Sequence, residues 1–273
     1  MISDPGIGPT KDLNLRVSVA ILVRVLFENP GNSEWMLALE RKATLHEAEN
    51  GRVVEVRAQP FGGAIRILDL SAIQTLTRDF HFDTERSLSE QDFRILIRPS
   101  AWEKVREFCI EQFKQAADLV IETDPARELA EEFADALKIN LQREQYACSP
   151  VATVVENEAA PTDNINTKGF PTVRVYRVFE AIISDCALAY HIMKNSESFS
   201  DQHLRDLAFV DAQNGGKGRA NAMLVLPLIP LTDHYLSLPP ENRNAPILFE
   251  SHRLDETVSA ILDGINTPKY QKL

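Results

Sequence analysis

The chain has little of what would tie it to a nucleic acid, a membrane or an oxidising compartment. Basic residues are outnumbered, 29 Lys and Arg against 40 Asp and Glu, and the formal net charge is −11. Attraction to a phosphate backbone or an anionic bilayer would therefore need a local basic patch, and the sequence has none. Long hydrophobic runs are missing too. The longest apolar stretches, residues 17–27 and 222–231, are too short or too interrupted to span a bilayer. Residues 1–15 lack the basic start and apolar centre of a secretory signal, so the expectation is a cytoplasmic protein. Cys109, Cys148 and Cys186 are odd in number and far apart, which argues against a disulfide framework or a zinc site and for reduced, mostly buried thiols. The six histidines show no H-x-H or H-x3-H spacing, and no serine sits in a G-x-S-x-G elbow. Internal repeats and low-complexity tracts are absent as well.

What is present is the balance of a globular protein, 44% apolar and 25% charged residues. At 273 residues, one large domain or two small ones would each bury a proper core. Residues 17–27 are rich in β-branched side chains and almost continuously apolar, as a central strand covered on both faces would be. The turn cluster Asn29-Pro30-Gly31-Asn32 follows, and residues 35–41 read as a returning strand that ends in charge. Residues 53–59 have a half-buried strand pattern, broken at Pro60-Phe61-Gly62-Gly63, where a functional loop is expected. Further on, residues 92–98 read as a strand. A helix should follow, opened by a Ser100/Glu103 capping box and carrying Trp102, Val105, Cys109 and Phe113 on one face. Another helix is expected from Asp124-Pro125, an N-cap acid and a first-turn proline, to about Leu141. Residues 149–156 and 172–183 read as two further strands. Leu254, Val258, Ile261, Leu262 and Ile265 form the apolar stripe of a C-terminal helix.

On the helix that starts at Asp124-Pro125, Glu128, Glu131, Glu132 and Asp135 fall at i, i+3, i+4 and i+7 and share one face. Neighbouring acids repel one another. A solvated surface tolerates that, whereas a partly enclosed site needs a cation among them, and a hard divalent ion ligated by oxygens is the natural one. A plain solvated face on an acidic protein is the simpler reading of the helix alone.

The order of residues adds to this. Arg127-Glu128-Leu129-Ala130-Glu131-Glu132 matches the R-E-U-x-E-E core of the Nudix box, where U is a bulky aliphatic residue. Upstream, Gly62-Gly63 closes a strand as the family's glycine pair does, and the opening hairpin has a Leu-x-Leu-x-Arg ending. Over residues 15–69 and 124–183 the chain resembles the Nudix hydrolases. It departs from them in three places: Asp69 stands where G-x5-E has glutamate, a long insertion replaces seven residues between the two halves of the box, and Ala134 replaces the glycine of E-E-x-G. The last suggests a helix that continues past the usual turn.

The resemblance implies one α/β domain spanning 1–273, a mixed β-sheet between helices. A strand-and-helix module would be inserted at about 70–123, with a C-terminal helical extension from about 190. It also implies that Glu128, Glu131 and Glu132 bind Mg²⁺ (or Mn²⁺), that Arg127 fixes a carboxylate, and that Gly62 and Gly63 let the backbone approach a substrate. The implied activity is hydrolysis of the pyrophosphate linkage in a nucleoside diphosphate joined to another group. The alternatives are a Nudix-like nucleotide-binding or sensor module without activity, and a scaffold protein whose acidic helix is only solvated. A general base from a later loop would be Glu156, Glu158, Glu180 or Asp211, among which the sequence does not choose. The expected partner is a small-molecule nucleotide, not nucleic acid or membrane, and the sequence leaves a homo-oligomer open.

Two other features have simpler readings. Asn214-Gly215-Gly216-Lys217-Gly218-Arg219 is not a Walker A motif, and a surface connection is its simplest reading; it bears on a phosphate only if it overhangs the acidic helix. Phe93, Trp102, Phe108 and Phe113 have the periodicity of core residues rather than of a base-stacking platform.

Overall fold

The computed structural model describes residues 5–48, 51–115, 117–156, 158–161, 169–239, 242, 246–262 and 270–272. In chain order the first elements are β1 (Gly6–Ile7), β2 (Leu15–Glu28), β3 (Trp35–Ala48), β4 (Gly51–Gln59) and β5 (Phe61–Ala64). There follow α1 (Leu70–Thr77), β6 (His81–Phe82), α2 (Glu85–Glu90), β7 (Arg94–Ile97), α3 (Trp102–Gln115) and α4 (Ala126–Leu137). Next come β8 (Tyr146–Glu156), β9 (Ala160–Pro161), β10 (Pro171–Ile183), α5 (Cys186–Ser198), α6 (Asp201–Gln213) and β11 (Arg219–Pro227). The last are α7 (Leu228–Ser237), β12 (Ile247–Phe249), β13 (His252–Leu254), α8 (Val258–Ile261) and β14 (Tyr270–Lys272). The result is a mixed α/β fold in which a branched, multi-stranded sheet is flanked by helices on both faces.

The apolar run of β2 makes it the centre of that sheet. Alternate side chains point to opposite faces of a strand. Val17, Val19, Ile21, Val23, Val25 and Phe27 therefore enter one core, with Val105 and Phe113 of α3, Leu129 and Phe133 of α4 and Ile192 of α5. Ala20, Leu22 and Leu26 enter the other, with Leu231 and Tyr235 of α7 and Val258 and Ile261 of α8. One edge of β2 pairs in parallel with β10, from Arg16↔Thr172 to Leu26↔Ile182. Its other edge is shared by three antiparallel strands in succession: β3 at Val25–Glu28, β5 at Ala20–Val23 and β7 at Leu15–Ser18. After Ala38, β3 leaves β2, and from Glu40 that edge pairs with β4. Pro60, with no N–H to donate, separates β4 from β5.

Several expectations are corrected. The glycine pair lies in strand β5 rather than in a loop. The segment 99–101 is a 3₁₀ turn without a side-chain cap, and Glu103 pairs with Arg106, so no Ser100/Glu103 capping box forms. The α3 stripe nevertheless stands, with Val105, Cys109 and Phe113 buried and Trp102 packed against them. Phe93 and Phe113 are fully buried and Phe108 packs on the same core, so these rings build the interior. At the acidic helix Pro125 is the cap and Asp124 Oδ1 accepts from the Ala126 N–H at 2.7 Å. That helix passes Ala134 but stops at Leu137, where Lys138 turns left-handed, short of the expected Leu141. At the C-terminus Leu254 belongs to a strand and the helix keeps only Val258–Ile261, while Ile265 lies outside the described residues. Of the cysteines, Cys109 is buried, Cys148 half-buried and Cys186 exposed.

The inserted module is part of the body. Ile67 bridges to Ile121, so the chain leaves and re-enters at one place. Within the module, β6 and β7 extend the sheet next to β2, and the buried pair Arg16–Asp83, at 2.8 Å, ties β2 to the start of α2. Among the described residues no helix is long and apolar enough to cross a membrane.

Candidate active site

The acidic helix is amphipathic in an unusual sense, because its buried face includes acids. Leu129, Phe133 and Leu137 are buried as the periodicity requires, but so are Glu128 and Glu132, at 7% and 9% exposure. Glu131 and Asp135 remain exposed. The four-acid face is thus split, and the reading of a uniformly solvated face fails for two of its members.

Strand β5 explains how the buried acids are held. The Gly62 N–H donates to Glu132 Oε2 at 2.6 Å. A Cβ on Gly63 would lie 2.3 Å from Glu128 Oε2, so the missing side chain is the room in which that carboxylate sits. Gly62 is needed for a different reason. Its φ is +130° and a Cβ there would stand 2.0 Å from the carbonyl oxygen of Ile21, a rigid backbone atom on the neighbouring strand. The two glycines therefore contact the carboxylates of the acidic helix directly.

Arg127 binds a set of acids. Its Nε and Nη2 fork onto Glu122 at 2.7 and 2.5 Å, Nη2 lies 2.5 Å from Glu128 Oε1, and Nη1 reaches both oxygens of Glu131 at 3.2 Å. These charge-assisted bonds raise its pKa, the bond to Glu122 most of all. Glu122 was not singled out by the sequence. The residue that was, Asp69, caps α1 by accepting from Ser71 and Ala72. The Ile67–Ile121 bridge shows why: the insertion lies upstream of the second acid, so the carboxylate that meets Arg127 comes from the segment re-entering the fold.

A second group the sequence missed lies where β3 leaves β2. Glu40 is fully buried and accepts from Lys42 Nζ at 2.6 Å, Gln59 Nε2 at 3.1 Å and Asn221 Nδ2 at 3.1 Å. Lys42 Nζ is also 3.8 Å from Glu132 Oε1. Burial alone would lower the Lys42 ammonium, but Glu40 and Glu132 raise it. Burial pushes the Glu132 carboxyl well up, and the nearby Glu40 adds to this against Lys42 and Gly62. Burial likewise raises Glu128 to about 6, partly opposed by Arg127 and reinforced by Glu131 and Glu122. In the sequence Glu40 is only part of the charge that ends a strand, and no local signal marks it as interior.

Glu40, Lys42, Arg127, Glu128, Glu131 and Glu132 line one open cleft of about 560 Å³. The set of candidate bases narrows there. Of Glu156, Glu158, Glu180 and Asp211, only Asp211 lines the cleft; Glu156 pairs with Arg174 and Glu180 with Arg24. Lys217 and Arg219 line it too, so the glycine-rich loop borders the same cleft as the acidic helix.

No family model, curated protein or solved structure matches the chain. Among the described residues, no three His, Cys, Asp or Glu side chains are gathered as a metal site. Protein cations hold the carboxylates instead, Arg127 taking Glu128 and Glu131 and Lys42 lying beside Glu132. The donor set still suits a hard divalent ion: all-oxygen, anionic, one helical turn apart and facing open space, with two members buried in a way that favours neutralisation.

Proposed function

We propose that the chain is a Nudix-type hydrolase that cleaves the pyrophosphate linkage of a nucleoside diphosphate joined to another group. The observation that carries this reading is the pair of buried carboxylates, Glu128 and Glu132, seated on a glycine pair and facing the cleft. Burying two acids one turn apart is unfavourable for a structural helix, and a site for a cation gives it a purpose.

Glu128, Glu131 and Glu132 would hold Mg²⁺ (or Mn²⁺). When bound, such an ion neutralises the pyrophosphate, lowers the pKa of water and stabilises charge that develops at phosphorus. Arg127 orients Glu128 and Glu131 and is itself fixed by Glu122. Gly63 leaves Glu128 its place, and the Gly62 N–H fixes one oxygen of Glu132 so that the other faces Lys42. In hydrolysis the water oxygen forms a bond to phosphorus as the bridging P–O bond breaks, giving two phosphate products. The proton released goes to a carboxylate of the cleft that the ion leaves free. Asp211 has other work, since its Oδ2 accepts from the Gly218 and Arg219 N–H groups.

The test is a screen of dinucleoside polyphosphates, nucleotide sugars, ADP-ribose, dinucleotide cofactors and nucleoside triphosphates with Mg²⁺ or Mn²⁺, following phosphate-containing products. Glu132→Gln should lower kcat by about 10²-fold or more, and in Mn²⁺ relaxation the Glu131→Gln, Glu132→Gln double change should greatly weaken binding. Thermal stabilisation by a nucleotide without turnover would favour the binding-module alternative. Turnover that survives Glu132→Gln would overturn both.

A further inference from the structure

Charge pairing across the cleft is incomplete in one place. Lys42 is paired with Glu40, Arg86 with Glu90, Arg94 with Asp92, and Arg127 with Glu122, Glu128 and Glu131. Three other cations line the same space without a carboxylate partner among the described residues: Lys138, Lys217 and Arg219. Lys138 Nζ reaches only the carbonyl oxygen of Asp135, at 2.7 Å. Both Lys217 and Arg219 are exposed and make no ion pair, although the protein carries a large acidic excess.

The loop that presents them is fixed. Asp211 Oδ2 accepts from the Gly218 N–H at 2.8 Å and the Arg219 N–H at 3.1 Å. Gly216 leaves room for the same carboxylate, which a Cβ there would meet at 2.3 Å. Asp211 is thus engaged by backbone and leaves the two side chains unneutralised. Cations held on a fixed loop, without a carboxylate partner among the described residues and lining the same cleft as the buried acids, make a wall ready for an anion.

We propose that Lys217 and Arg219, with Lys138 at the end of the acidic helix, form a phosphate-binding wall. The group joined to the nucleoside diphosphate then carries further phosphate, as in a nucleoside triphosphate or a dinucleoside polyphosphate, instead of being a sugar. The glutamate face and the cationic wall divide the ligand between them. Phosphate oxygens beyond the scissile linkage go to Lys217 and Arg219, and the glutamates, with their cation, take the linkage itself. The binding half of this inference stands independently, and the choice of substrate rests on the hydrolase reading.

The experiment has two arms. In EDTA, calorimetric titration with inorganic tripolyphosphate should show salt-sensitive binding to the wild type. Lys217→Ala with Arg219→Ala should weaken it about tenfold or more, the range of one or two lost charge-assisted contacts. Glu131→Gln should leave it equal or tighter. Lys217→Gln with Arg219→Gln serves as the gentler variant, and an unchanged melting temperature verifies its fold. No tripolyphosphate binding by the wild type, or equal binding by these variants, overturns the wall. In the second arm, with Mg²⁺, the same variants should raise KM for a nucleoside triphosphate and spare a nucleotide sugar. An equal loss on both substrates overturns the substrate assignment. Absence of turnover on every nucleotide of the screen, with tripolyphosphate binding intact, refutes the hydrolase reading and leaves the wall standing.

Discussion

Replacing Glu128 by Gln should make the metal-free protein more stable at neutral pH. In the folded chain burial holds this carboxyl at about 6, above the ordinary 4.5, with Arg127 only partly opposing the shift. A raised carboxyl pKa means that the folded state binds the proton more firmly than the unfolded chain. The group is therefore harmless below about pH 4.5, destabilises increasingly as pH rises through the window up to 6, and exerts its full unfavourable effect above it. A shift of that size corresponds to roughly 2 kcal/mol. Gln has nearly the same shape, does not titrate and still offers a carbonyl to Arg127, which keeps its fork on Glu122. Because the shift already includes the attraction of Arg127, the relief should be close to the full amount. For a chain of this length it would raise Tm by about 4 °C. Thermal denaturation in EDTA at pH 4.5 and 7.5 tests this: the variant should gain at pH 7.5 and match the wild type at pH 4.5. Adding Mg²⁺ should close the gap by stabilising the wild type alone. A variant less stable than wild type at pH 7.5, or a gain equal at both pH values, would refute the argument that the buried charge is held for a ligand.

Gly62→Ala and Gly63→Ala should part company despite being neighbours. The first puts a Cβ on rigid backbone at positive φ and should cost about 3 kcal/mol or more of stability, whereas the second meets only the movable Glu128 carboxylate. Chemical denaturation should find Gly63→Ala folded, and turnover should fall with it. Asp83→Ala strips the partner from buried Arg16 and should destabilise by about 3–5 kcal/mol; limited proteolysis would show whether cutting within residues 81–98 accelerates, as loss of that anchor requires. Stripping divalent ions with EDTA should abolish turnover without unfolding the chain, read by circular dichroism, since both cores are apolar and complete without the acids.

The elements that could be read from the sequence are those whose physics is local. The continuous apolar run of residues 17–27 could only be a strand covered twice, and its alternate side chains do fill two cores. The Val105, Cys109 and Phe113 stripe declared its buried face, as did Leu129 and Phe133. Glu128 and Glu131 could be placed on one face by arithmetic, but which acids of that face are buried depends on β5, seventy residues away in the chain. Glu40 shows the same limit, since its burial is made tolerable by Lys42, two residues along β3, and by Gln59 and Asn221 from the distant β4 and β11. Glu122 was hidden by a register: counting forward from Gly63 leads to Asp69, whereas the bridge that closes the insertion brings the acid from its far side. The short C-terminal helix failed for another reason, because an apolar stripe at helical spacing also fits a strand followed by a single turn.

The position of the cleft follows from how one strand divides its edge. Had β3 paired with β2 along its whole length, the hairpin would have been continuous and Glu40 and Lys42 would have faced another strand. Instead β3 separates after Ala38, β4 turns back at Pro60, and β5 fills the vacated edge of β2 opposite Ala20–Val23. The side chains just past the separation then have open space in front of them, and α4 lies across it with Glu132 on the Gly62 N–H. Close approach of β5 to Ile21 demands glycine at 62, and close approach of α4 demands it at 63. The site therefore depends on the apolar β2, the break at Pro60 and the glycine pair. The inserted module leaves and re-enters the body at the Ile67–Ile121 bridge, so the returning segment brings Glu122 to Arg127 from the far side of the insertion.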